Sequence, residues 1–417
     1  MEQWKKYKIG ELCSISSSKR IFAKEYQSSG IPFYRGKEII EKQRGGSVST
    51  ELYISELRYN EIREKFGVPE EGDMLLTSVG TLGIPYIVKN ETFYFKDGNL
   101  TWFANFKGVN SKFLYYWFLS PIAKNTIDSK AIGSTQKALT IDALNKFEID
   151  IPSIDTQNKI VAILSSLDDK IELNRRINEN LEQQAQALFK SWFVDFEPFK
   201  NGKFVDSELG KIPEGWKVLR ADEIFNINIG KTPPRKESIW FSKSENSNIK
   251  WISISDMGNC GPFINDSSEY LTPDAVNKFN IIIVPKNTVL LSFKLTLGRV
   301  VIAKDNLTTN EAIARFCLPN NRFREFTYLT LKNYDYFKLG NTSSIATAVN
   351  SKIIKGMKIL FPLNEIIEDF SNIVKPIFDL IESYSDEIDR LSKLRDTLLP
   401  RLMSGELQVN DDNKYIK

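Results

Sequence analysis

Eight short groups of polar and basic residues carry the side chains that could do chemistry. In the first half of the chain they are Ser18, Lys19 and Arg20; Arg35 and Lys37; Thr77, Ser78 and Thr81; and Ser134, Thr135, Gln136 and Lys137. In the second half they are Lys231, Thr232 and Arg235; Ser253, Ser255 and Asp256; Lys294, Thr296 and Arg299; and Asn341, Thr342, Ser343 and Ser344. These are the types that hydrogen-bond to DNA. Lys and Arg hold phosphates or guanine edges, Gln and Asn pair with adenine, and Ser and Thr contact either. For any one group a solvated loop is the plainer reading. The case for a shared purpose is that similar polarity recurs at equivalent places in both halves. The differences, Ser78 against Phe293 and Gln136-Lys137 against Ser344-Ile345, mean that the halves would read different sequences.

Catalytic chemistry finds little support. The chain has no histidine, which removes Ser-His-Asp and Cys-His nucleophile systems and every His-ligated metal site. Cys13, Cys260 and Cys317 are scattered, without metal-ligand spacing, and suit a reducing compartment. "IGKTPP" (229–234) contains Gly-Lys-Thr, but it lacks the upstream glycine of a phosphate loop, and Pro233-Pro234 block the helix that would bind phosphate. "GTLG" (80–83) is too short for a dinucleotide fingerprint. No Asn/Asp-Pro-Pro-aromatic methyltransferase motif occurs, and no Glu-x-Lys triplet of the common metal-dependent nuclease core. We expect no catalytic residue, no metal and no cofactor in this chain. The net charge is only +3, so a nucleic-acid surface must be local. No apolar run follows Met1 and no span is long and apolar enough for a membrane, so a cytoplasmic chain without membrane contact is expected.

The elements that must position these loops come as a repeat. "WKKYKIGELCSI", beginning at Trp4, returns as "WKVLRADEIFNI" at Trp216, an offset of 212. "DMLLTSVGTLG" (73–83) returns as "TVLLSFKLTLG" (288–298) at 215, and "FEIDIP" ending at Pro152 as "MKILFP" ending at Pro362 at 210. Strand character appears in "GIPFYR", "DMLLTS", "IPYIVK" and "FYF", and helices are predicted over 110–120 and 322–334. Each mixed domain is followed by a 4-3-4-3 seam. The first runs through Ile160, Leu164, Leu167, Ile171, Asn174, Asn178, Leu181, Ala185, Leu188 and Trp192. The second runs, 210 residues later, through Phe370, Val374, Ile377, Ile381, Tyr384, Ile388, Leu391, Arg395, Leu398 and Leu402. A sustained 3.5-residue period marks a coiled coil. At 1.5 Å per residue, about 40 residues make a rod of roughly 60 Å.

The predicted fold class is α+β: two mixed α/β domains joined by two long antiparallel coiled-coil helices, with a pseudo-twofold internal repeat. The expected divisions are a mixed domain at 1–153, a long helix at 154–198, a connector at 199–215, a second mixed domain at 216–362, a second long helix at 363–408 and a polar tail at 409–417. Pro376 predicts a kink or a late start in the second helix. A polar residue in a seam costs stability but fixes register. Antiparallel pairing about the midpoints predicts Asn174 near Ile388, and Asn178 hydrogen-bonded to the Tyr384 hydroxyl. Two solvent-facing asparagines at a splayed section are the alternative.

At "LDDKIELNRRINENLEQQAQALFKSWFVDFEPF" (167–199), "GSTQKALTIDALNKFEIDIP" (133–152) and "LSKLRDTLLPRLMSGEL" (391–407), the sequence resembles the specificity subunits of type I restriction–modification enzymes. The resemblance runs over essentially the whole chain. It implies that each mixed domain is a target recognition domain and that the paired helices are spacers. Two modification (methyltransferase) subunits would flank the spacer and bind S-adenosylmethionine. Restriction (translocase–nuclease) subunits would supply ATP- and magnesium-dependent translocation and cleavage. On that reading the chain is a non-catalytic subunit that binds double-stranded DNA. Unlike heads imply an asymmetric bipartite target, and heads about one helical turn apart, ~34 Å, can face one side of the duplex. A target adenine would be flipped into a partner's pocket rather than into this chain. Pro376 and Arg395 depart from a regular spacer pattern. The competing readings are a coiled-coil scaffold whose mixed domains bind proteins, and a self-sufficient hydrolase.

Overall fold

Both mixed domains close on themselves before the chain enters a long helix. Strand Lys5–Lys8 pairs antiparallel with Glu148–Ile151, and Lys217–Arg220 pairs in the same way with Lys358–Phe361. The first and last strands of each domain therefore lie side by side. A proline, Pro152 or Pro362, follows the second of them, and a helix of 40 residues begins, Ile154–Phe193 in one half and Asn364–Met403 in the other. The structure is a computed structural model that describes residues 4–409 except 44, 46, 47, 49, 134–136, 259, 319 and 340–348. Its fold is α+β, with each half of the repeat built to one plan.

The chain divides into two compact units, residues 1–172 with 389–417, and residues 173–388. Each unit holds one mixed domain and half of each long helix. In unit 1 a four-stranded sheet runs in the order Ser14–Ser16, Leu100–Ala104, Met74–Thr77, Pro85–Ile87, beside a three-stranded sheet of Tyr53–Ile54, Ile31–Tyr34 and Tyr94–Phe95. Unit 2 has a five-stranded sheet ordered Asn226–Ile229, Ile313–Cys317, Val289–Ser292, Val300–Ala303, Phe263–Ile264. Beside it lies a four-stranded sheet of Phe241–Ser242, Tyr270–Leu271, Ile249–Ile252 and Thr308–Thr309. The central strands "MLLT" and "VLLS" are buried on both faces, which is why they read as unbroken runs rather than alternating ones. Helices Ser111–Leu119 and Arg324–Lys332 fall within the spans expected of them. The first is capped by Asn110, whose side chain accepts from the Lys112 N–H at 2.9 Å.

The long helices contribute to both cores. In unit 1, Ile160, Val161 and Leu164 share a core with Leu399, Leu402 and Met403. In unit 2, Ala185, Phe189 and Phe193 share one with Phe370, Val374, Phe378 and Ile381. In each unit, earlier residues of one helix meet later residues of the other, so the segments run antiparallel. All the seam positions named above are buried or half-buried. The burial is wider than a narrow stripe, however: Phe378 and Leu399 are more enclosed than their neighbours Ile377 and Leu398. Each helix packs against its mixed domain as well as its partner helix, and so buries a broader face.

Three expectations are corrected. The second helix does not start late at Pro376: it begins at Asn364 and stays helical through the proline. The proline and Asn372, whose carbonyl loses its bond, are both exposed, so water can take that carbonyl. Both long helices stop five residues early, the second at Met403 and the first at Phe193, ahead of Phe196, which turns left-handed at φ 55° and opens a 3-10 turn, Glu197–Phe199. The connector then forms a hairpin, Phe204–Ser207 with Gly210–Pro213. Lastly, Asn178 does not bond to the Tyr384 hydroxyl. Its amide donates to Ser385 Oγ at 3.2 Å and to the Ile381 carbonyl at 3.3 Å, while Asn174 donates to Glu387 Oε2 at 2.8 Å. The bonded side chain is one position past Tyr384 for Asn178 and one position before Ile388 for Asn174, so the two asparagines close on the turn between the expected partners. Arg395 pairs with Asp168 at 2.8 Å in unit 1, and Asp168 also accepts from the Tyr116 hydroxyl at 2.8 Å.

Candidate nucleic-acid interface

The strand register gathers the polar loops at one end of each unit. In unit 1, Ser16 lies opposite Trp102, Thr77 opposite Leu100, and Tyr34 beside Phe95. The segments that follow Ser16, Tyr34 and Thr77, and the one that precedes Leu100, therefore leave from the same edge. Backbone bonds tie them together: Ser78 N–H to Asn99 O at 2.8 Å, Lys96 N–H to Tyr34 O at 2.8 Å, and Gly80 N–H to Lys137 O at 3.1 Å. Unit 2 repeats the arrangement. Ile229 lies opposite Ala314, Ser292 opposite Ile313, and Ile252 beside Thr309. Phe293 N–H donates to Ala312 O at 2.9 Å and Asn310 N–H to Ile252 O at 3.0 Å, the counterparts of the first two bonds.

Not every candidate residue presents its functional group outward. Thr77 and Ser78 are buried. The Thr77 hydroxyl accepts from Ile84 N–H at 2.9 Å, and Ser78 shares a 2.5 Å hydrogen bond with Thr101. Arg35 is half-buried and clamps Glu38 at 2.7 Å. Burial alone would raise the Glu38 carboxyl, but the Arg35 guanidinium and backbone N–H hold it below the usual range. Lys37, Thr81 and Lys137 are exposed, with Lys37 loosely paired to Glu41 at 3.6 Å. Arg20 reaches Asp97 at 2.7 Å, and the Lys19 ammonium lies 4.3 Å from the centre of the Phe66 ring.

In unit 2, Ser253 caps its own short helix through Asp256, and Arg299 donates to the Ile254 carbonyl at 2.6 Å. The exposed Lys231 donates to the Phe279 and Asn280 carbonyls at 3.2 and 3.1 Å. Thr232 bonds to Glu311, whose carboxyl burial would raise but Thr232 and the nearby cations hold low. Arg235 pairs with Glu269 at 2.7 Å, its guanidinium 4.4 Å from the centres of both the Phe241 and Trp251 rings. Ser255, Lys294 and Thr296 are exposed. Ser134, Thr135, Gln136, Asn341, Thr342, Ser343 and Ser344 lie outside the described residues. Sequence reasoning passed over Lys243, which joins Arg235 on Glu269 at 3.1 Å, and the carboxylates Asp97 and Glu269, which hold Arg20 and Arg235, and Glu311, which holds Thr232. None of these sits in a repeated motif that would have pointed to it.

Two polar, partly basic loop clusters, one per unit and unlike in detail, suit contact with an irregular polyanion whose edges differ from place to place. Residues 1–183 and 213–393, one stretch per half of the repeat, match the family described as the type I restriction modification DNA specificity domain. The chain belongs to the specificity subunits of type I restriction–modification systems. It is 31% identical, over 97% of its own length and 92% of the relative's, to the type I restriction enzyme MjaIX specificity subunit of Methanocaldococcus jannaschii. It is 26% identical, over 98% of its length and all of the relative's, to the HindI specificity subunit of Haemophilus influenzae. The fold is also that of the type I restriction–modification S subunit from M. genitalium, with a TM-score of 0.52, 16% identity and 96% of each chain covered. A specificity subunit has a DNA sequence-recognition role and is non-catalytic, catalysis lying in other subunits of the system. Among the described residues no helix is long and apolar enough to cross a membrane.

Proposed function

We propose that each unit of this specificity subunit reads one half of an asymmetric bipartite site in double-stranded DNA. The two long helices set the spacing of the half-sites and dock two modification subunits. The observation that carries this reading is the pair of equivalent loop clusters, built on the same strand register but bearing different side chains. Equivalent backbones would address the duplex alike, while different side chains would select different bases. Both 40-residue helices pass from one unit into the other, which supports a spacing role. In this proposal S-adenosylmethionine, ATP and magnesium belong to the modification and restriction subunits, and the assembly works in the cytoplasm.

The test uses the chain co-purified with its modification subunits. Randomised duplexes are selected for binding and sequenced. Two unlike conserved blocks separated by an unconserved gap are expected. Enrichment of no motif would leave a protein-binding scaffold as the better reading, and a single uninterrupted motif would overturn the bipartite assignment.

A further inference from the structure

One turn occurs in both units and differs at its tip. In unit 1 it follows strand Met74–Thr77, and in unit 2, 215 residues on, it follows strand Val289–Ser292. The two turns share the pair of hydrogen bonds that closes their base. Gly83 N–H donates to Thr77 O at 2.8 Å and Ile84 N–H to Thr77 Oγ1 at 2.9 Å. Gly298 N–H donates to Ser292 O at 3.0 Å and Arg299 N–H to Ser292 Oγ at 3.0 Å. Positions 80 and 295 are therefore equivalent, and both are left-handed, with φ of 80° and 60°. Gly80 takes that conformation freely, and a Cβ added there would meet nothing within 4 Å. At the same place in unit 2 the chain carries Leu295.

That leucine is disfavoured twice. Its backbone sits where a side chain strains the chain, at the apex of a three-residue turn closed by Thr296 N–H to Lys294 O at 2.7 Å. Its side chain is 102% exposed, the most exposed of the large apolar residues described. The turn is held from below. The buried Ser292 hydroxyl donates to Thr296 O at 2.6 Å, Arg299 is tied to Ile254, and the Tyr336 ring lies against Gly298. A strained, fully exposed apolar side chain on a fixed tip, within a polar loop cluster, is accounted for if it is buried on binding. The apolar group that a DNA base edge offers in the major groove is the thymine methyl.

We infer that Leu295 is a specificity-determining residue of unit 2, entering the major groove of the second half-site and contacting a thymine 5-methyl group. The inference rests on the DNA-reading function proposed above. It also explains why the tips differ: unit 1, with Gly80, lacks this apolar contact.

The experiment compares wild type with Leu295→Gly, Leu295→Asn and Leu295→Met, each co-purified with the modification subunits, in selection from randomised duplexes. Gly and Asn both tolerate the left-handed backbone, so both variants should fold and melt no lower than wild type. Both should lose about tenfold in affinity for the selected site, the scale of one mismatched base pair. Both should lose preference at a thymine in the second half-site and keep the first half-site intact. Leu295→Met should retain the preference. Replacing that thymine by uracil should weaken wild type and leave Leu295→Gly unaffected. An unchanged preference in the Gly and Asn variants, or a lost preference at a position without thymine, overturns the inference while leaving the DNA-reading function in place. If wild type itself selects no motif, it is the DNA-reading function that fails.

Discussion

The Arg35 guanidinium makes hydrogen bonds of 2.7 and 3.3 Å to Glu38, and the Glu38 side chain is fully buried. Removing the cation would strand a buried carboxylate, so Arg35→Ala should destabilise unit 1 by about 2 kcal/mol, less than a fully enclosed pair because Arg35 is partly exposed. The Glu38 carboxyl lies below its ordinary value in the folded chain. Its contribution is therefore present at neutral pH and lost as pH falls through that lowered value. Denaturant unfolding at pH 7 and near pH 4 should show the gap between wild type and Glu38→Gln narrowing on acidification. A constant gap would mean that the pair is not the source. At this scale the sequence gives residue type but not commitment. Arg35 and Lys37 look alike in the chain, yet one is engaged with Glu38 and the other is exposed. Thr77 and Ser78 sit at the right loop but face inward, because the strand Met74–Thr77 is buried on both sides.

The two seam asparagines show what an element can reveal in advance. A 3.5-residue period is conspicuous over 40 residues, so helix pairing was legible, whereas the antiparallel sense is not fixed by the period. The choice of Ser385 over Tyr384 for Asn178, and of Glu387 over Ile388 for Asn174, was not legible, because a seam period fixes which face meets the partner and not which neighbouring side chain on that face takes the hydrogen bond. Packing of each helix against its mixed domain blurs the narrow stripe into a face. The late start expected at Pro376 does not occur, and the carbonyl that loses its bond, that of Asn372, belongs to an exposed residue that water can reach. In the folded protein Asn178 Oδ1 is buried with no hydrogen-bond partner among the described atoms, and its amide is only moderately bonded. The Ser385 hydroxyl already donates to Ile381 O at 2.7 Å in its own helix, so replacing the asparagine orphans nothing essential. Asn178→Leu should raise stability by about 1 kcal/mol, seen as a higher denaturation midpoint. A drop of similar size would show that the amide stabilises the seam outright, rather than fixing its register at some cost.

For the molecule as a whole, a net charge of +3 on 417 residues gives little long-range attraction to DNA. Affinity must come from a few local cations, and each phosphate contact should appear in the salt dependence. Each such contact removed should flatten the slope of log K against log salt by about 0.9. Lys37 and Lys137 are exposed in the unit 1 cluster, and Lys294 is exposed in unit 2. Lys231, though exposed, spends its ammonium on two backbone carbonyls. The double variant Lys37→Ala, Lys137→Ala should therefore reduce the slope by about 2, and Lys294→Ala by about 1. Lys231→Ala should change it least. Because phosphate contacts carry no sequence information, all of these losses should be uniform across selected and unselected duplexes. Titration of the assembled complex from about 50 to 200 mM salt, the range over which such contacts tell most strongly, separates the cases. A large effect at Lys231 with none at Lys294 would place the DNA on a different face of unit 2 from the turn that carries Leu295.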